Sequence, residues 1–87
     1  MDENTLKTVE AIFWSGSGED ENRWRKVVDI LKAMPTEQAR RLMKEARTKA
    51  EEQQTLYGMK EGTSRKDIEG NLKRIRDIAK LTMSWIT

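Results

Sequence analysis

Residues 64–86 read SRKDIEGNLKRIRDIAKLTMSWI. Within them Ile68, Leu72, Ile75, Ala79, Thr82 and Ile86 recur at spacings of four, three, four, three and four. Residues so spaced stack along one side of an α-helix. Ser64 stands where an N-cap belongs, with a hydroxyl able to accept a hydrogen bond from a backbone N–H of the first turn. Asp67 takes the place of the capping-box carboxylate, and Asp67 and Glu69 put negative charge at the positive end of the helix dipole. Gly70 runs against the pattern, because glycine inside a helix costs about 1 kcal/mol relative to alanine. Close approach of a second helix, or a frayed first turn, would account for it. Further on the apolar arc widens: Ile78, Leu81 and Trp85 form a flank beside the stripe, and Met83 lies on its other side. A helix that is apolar over more than one stripe needs more than one neighbour. This is therefore the expected central helix of a bundle, and Ile78, Leu81 and Trp85 are the candidate subunit or partner interface.

Working back from Ser64, residues 58–63 (GMKEGT) read as a loop, with Gly58 as the natural C-cap of the helix before it. That helix is expected over residues 35–57. Ala39, Leu42, Met43, Ala46, Ala50 and Tyr57 track its apolar face. Its middle is weakly amphipathic, so it is either more exposed or packed closely through the small Ala50. Pro35 disfavours helical geometry at Met34 and suits the first position of a new helix. Residues 20–34 form a second predicted helix, with Trp24, Val27, Val28, Leu31 and Met34 at helical spacing and Ile30 off the main face. Trp24 is a core anchor on this reading, and a stacking platform on the alternative one. SGSG at 15–18 is a connector. A phosphate loop would need a lysine and a hydroxyl residue after its glycines, whereas Glu19, Asp20 and Glu21 follow here. Residues 4–14 are a short first helix with Leu6, Val9, Ile12 and Phe13 on its apolar face, too short to stand alone.

The expected fold is all-α: one domain spanning residues 1–87, a small four-helix bundle. Its third and fourth helices make a long antiparallel hairpin, and two shorter N-terminal helices pack across the end that holds Leu42, Met43, Met83 and Trp85.

Composition narrows the chemistry. The 87 residues include no cysteine and no histidine, so disulfides, Cys/His zinc sites and Ser–His or Cys–His nucleophiles are excluded. Carboxylate pairs stand at Glu19–Glu21 and Glu51–Glu52, but in polar surroundings that do not raise a carboxyl pKa, and no EF-hand spacing is present. No enzyme, cofactor, metal or small-molecule substrate is expected. No apolar run is long enough for a membrane span and no signal peptide opens the chain, so the expectation is a cytoplasmic protein. A chain this short buries little surface, and oligomerisation is the remaining common way to stabilise it.

The net charge of +2 conceals an asymmetry. Residues 1–22 carry one basic and six acidic side chains, and residues 23–49 carry nine basic and three acidic. An acidic head can neutralise a basic middle, within one chain or between two. Arg40, Lys44 and Arg47 share one face of the third helix, with Arg41 and Lys49 further round. Arg23, Arg25 and Lys26 open the second helix, and Lys73, Arg74, Arg76 and Lys80 line the outer side of the fourth. Such stripes suit a phosphate backbone, and equally a solvated face laced with pairs such as Glu37–Arg41 and Glu69–Lys73. Neither a helix-turn-helix nor an RNA-binding aromatic motif is present. The composition resembles that of many phage, plasmid and viral accessory proteins, a likeness that involves no motif. Two functions follow as expectations. The first is a regulatory or accessory protein that binds a protein partner through helix faces, as a homodimer. The alternative is a DNA- or RNA-binding protein using Arg40, Arg41, Lys44, Arg47, Lys73, Arg74 and Lys80.

Overall fold

A computed structural model describes residues 3–14 and 20–86 of the chain. The connector at 15–18 and Glu19 lie outside the described residues. Four α-helices follow one another: α1 (Glu3–Glu10), α2 (Asp20–Lys32), α3 (Thr36–Lys60) and α4 (Arg65–Ile86). A 3-10 turn, Ala11–Phe13, extends α1. No strand occurs among the described residues, and the all-α expectation holds. None of the described helices is long and apolar enough to cross a membrane.

The helix starts follow from local chemistry. The amide of Asp67 donates to Ser64 Oγ at 3.3 Å, and the amide of Ile68 donates to the Ser64 carbonyl at 3.0 Å, so Ser64 caps α4. Pro35 stands one place earlier than its expected role. With φ −55° and ψ 141° it is the N-cap of α3, and its carbonyl accepts from the amide of Ala39 at 3.0 Å. Thr36 takes the first helical position.

The end of α3 differs from the sequence expectation. The helix runs through Gly58 to Lys60, and Gly62 is the residue with positive φ, at 70°. Thr63 donates to the Gly58 carbonyl at 2.8 Å and Gly62 to that of Met59 at 3.3 Å. This is the Schellman pattern, which needs a left-handed residue just past the helix. Gly58 serves packing instead. A Cβ there would sit 2.6 Å from Cγ1 and 2.8 Å from Cδ1 of Ile68. The missing side chain lets the first turn of α4 close onto the last turn of α3.

α3 and α4 form the expected hairpin. At about 1.5 Å per residue, α3 alone spans close to the full 40 Å length of the molecule. One core collects Leu6 and Val9 from α1, Ile12 and Phe13 from the turn, and Val27 and Leu31 from α2. Leu42, Met43, Ala46 and Ala50 of α3 join it, with Ile75 and Ala79 of α4. Small residues on α3 let neighbours approach: Ala39, Ala46 and Ala50 are all buried. Thr82 is the one buried polar side chain of the described core. Its hydroxyl accepts from Trp24 Nε1 at 2.9 Å and donates to the Ile78 carbonyl at 2.7 Å, so its burial leaves no bond unmade.

Tyr57 departs from the expected buried face and is 63% exposed. Its neighbours Leu56 and Met59 are also exposed. Beyond Ala50 no residue of α3 except Gly58 is fully buried: toward Tyr57, α1 stands off from α3 across an open cavity lined by Glu3, Leu6, Gln53, Gln54 and Tyr57.

Candidate functional site

Two surfaces stand out. The first is a groove of about 600 Å³ between α3 and α4. Its walls come from side chains one helical turn apart: Arg40, Lys44 and Arg47 on α3, and Arg76 and Lys80 on α4. Met43, Ala79 and Met83 form the floor, and Ser84 lies at one end. Met43 and Ala79 are buried and Met83 is half-buried, so the floor is the outer edge of the core itself. The aliphatic stems of the basic residues continue this apolar surface outward while their charged heads reach water.

Ion pairing divides the five cations. Glu51, whose side chain is 19% exposed, accepts from Arg76 Nε at 2.6 Å and lies 3.8 Å from Arg47. It thereby neutralises part of the groove end nearest the α3–α4 loop. Arg40, Lys44 and Lys80 have no acidic partner among the described residues. The described carboxylates of the acidic head lie elsewhere: Glu21 pairs with Arg25 at 2.9 Å, and Glu3 and Glu10 line a separate cavity against α3 with Lys7 and Lys49.

The other predicted cations are dispersed. Arg41 points along a neighbouring face, 3.9 Å from Glu37 as expected. Lys73 lies 3.9 Å from Asp77, while Glu69 turns back to Arg65 at 3.4 Å in place of the expected Lys73. Arg74 reaches across the fold and donates to the Phe13 carbonyl at 3.2 Å, closing the C-terminal end of the 3-10 turn. Sequence spacing did not reveal that role, because the acceptor lies sixty-one residues away.

The second surface is an aromatic edge. Trp85 and Leu81 are 57% and 54% exposed, on successive turns of α4, while Ile78 is half-buried against the core. Trp85 meets Trp24 edge to face, with ring centroids 5.6 Å apart and planes at 87°. This contact sets the Trp85 ring against α2, beside a cleft that includes Val28, Asp29 and Lys32. Trp24 is half-buried and packs on the core, its indole N–H committed to Thr82.

Glu51 and Glu52 do not act as a pair: Glu51 is held by two arginines and Glu52 is exposed. Among the described residues no three acidic side chains gather in a way that would hold a metal ion. Comparisons with protein-family models, with curated proteins and with solved structures give no match for this chain.

Proposed function

We propose that the chain is a small regulatory or accessory protein, without catalytic activity, that works by binding proteins through its helix faces and self-associates as a homodimer. One observation carries the reading: the exposed edge of Trp85 and Leu81 on successive turns of α4, with the Trp85 ring packed edge to face on Trp24. Tryptophan in such a setting is the typical centre of a binding hot spot. The edge offers two large side chains, whereas a stable interface covers about 800 Å² per partner. It therefore supports a reversible dimer with a polar rim. The lack of histidine and cysteine, together with carboxylates that are paired or solvated, supports a non-enzymatic role. A cysteine-free chain is also compatible with the cytoplasm, where we place it.

Light scattering tests the dimer. The expected result is dimer mass at micromolar concentration, falling toward monomer on dilution. Trp85→Arg should remain helical and be monomeric throughout. A folded wild-type monomer at every concentration would overturn self-association.

A second reading, DNA or RNA binding, is favoured by the cations that lack acidic partners among the described residues, Arg40, Lys44 and Lys80. Counterion release would give such binding a steep salt slope, and Lys44→Glu would weaken it for all sequences alike. An absence of binding to duplex and single strands at about 100 mM salt would dismiss this reading.

A further inference from the structure

The geometry points to the α3–α4 groove as the docking site for an amphipathic helix with an acidic polar face, supplied by a partner protein. This inference rests on the reading that the chain works by binding protein, and it assigns a place and a chemistry to that partner.

Three observations select the occupant. The groove is concave, and a ridge of side chains from one helix fits between two others, as in helix-in-groove recognition. Its floor is apolar and contains two methionines, Met43 and Met83, whose flexible thioethers adapt to varied apolar partners. The charge around that floor is of one sign: Arg40 and Lys44 on one wall and Lys80 on the other have no acidic partner among the described residues. An occupant must therefore bring apolar side chains down the middle and carboxylates along both flanks. Nucleic acid would satisfy the walls but has little use for the floor, and no aromatic side chain lines the groove for bases to stack on. The described carboxylates of the chain's own acidic head lie elsewhere, Glu21 at Arg25 and Glu3 and Glu10 in the cavity beside α1.

The probe is a synthetic peptide of about five helical turns, with a leucine stripe flanked by glutamates. Its control carries glutamine at every glutamate. Methyl-labelled methionine reports the site by NMR. Saturable shifts of the Met43 and Met83 methyls are expected, with affinity at least tenfold weaker for the glutamine control. A Lys44→Glu, Lys80→Glu double variant should lose tenfold or more while keeping its helical signal. If that pair unfolds, Arg40→Gln with Lys80→Gln replaces it and should lose severalfold. Glu51→Gln removes the one carboxylate that bridges to the groove arginines and should tighten binding.

Equal binding of the glutamine control would overturn the proposal, as would shifts confined to the Trp85 edge. Displacement of the peptide by duplex or single-stranded DNA, with a steep salt slope, would assign the groove to nucleic acid instead. Concentration-dependent Met83 shifts without peptide would assign it to a second copy. The broader reading fails separately. A silent peptide titration beside an intact Trp85-dependent dimer removes only the groove assignment. A peptide complex formed by a strict monomer removes only self-association.

Discussion

Gly58 shows how one missing side chain sets the geometry of a hairpin. Glycine inside a helix costs about 1 kcal/mol against alanine, so on propensity alone Gly58→Ala should stabilise. The added Cβ would however meet Cγ1 and Cδ1 of Ile68 inside van der Waals range, and a β-branched side chain has little rotamer freedom with which to yield. Overpacking of this kind costs about 1–3 kcal/mol, so a net loss of about 1–2 kcal/mol in denaturant melts is expected. In an Ile68→Ala background the same change should become neutral or stabilising, and a cycle with no such coupling would refute the steric account. The sequence pointed to Gly58 as special but for a different reason. Two glycines stand four apart near the end of α3, and local pattern cannot say which adopts the left-handed conformation and which lies against a neighbour. Only the position of Ile68, ten residues on, separates them.

At the scale of elements, α1 is the dependent piece. Its eight residues are too few to hold a helix in water, so its order comes from Leu6, Val9, Ile12 and Phe13 in the core and from Arg74 at its far end. Arg74→Ala removes the donor to the Phe13 carbonyl, a loss of about 1 kcal/mol given the exposed guanidinium. The expected outcome is faster proteolytic cleavage within residues 3–14, with the α3–α4 hairpin unchanged. Cleavage at the parental rate would deny Arg74 that role. The helices themselves were largely legible, because the periodicities around Ile75, Leu42 and Val27 are unambiguous. The groove was half legible. Arg40, Lys44 and Arg47 share a face by spacing alone, but which cations of α4 meet them depends on how that helix is rotated in the hairpin. Arg74 and Arg76 are two residues apart and so leave the helix in nearly opposite directions. One closes the 3-10 turn and the other joins the groove.

For the molecule as a whole, Ile75 is the most informative position. It is buried, near the middle of α4, and belongs to the core shared by all four helices. Ile75→Asp places an unpaired carboxylate there, at a cost of several kcal/mol, comparable to the entire stability of a small domain. Loss of the cooperative thermal transition is expected; a variant that melts like the parent would show that α4 is not central. Tyr57 marks the limit of sequence reading at this scale. Its spacing from Ala50 places it on the face of α3 that meets α1, yet burial also requires close packing, and a cavity of about 650 Å³ separates it from Glu3, Leu6 and Lys7 there. Helical periodicity says which way a residue faces and not how closely the opposite element packs.

That uneven coverage divides the hairpin into two dynamic regimes. Amides of α3 and α4 beside the shared core are released to solvent only when the whole domain opens. Those near Gly58 and Ile68 lie beyond the buried apolar core, so the loop-proximal turns can open on their own. Amide hydrogen exchange should therefore fall off in protection along α3 from Ala46 toward Lys60, with the outer turns exchanging through sub-global openings of lower free energy. The tip of the hairpin would then breathe while the groove at its base stays shut to such fluctuations, and a partner seated there would meet a preorganised surface.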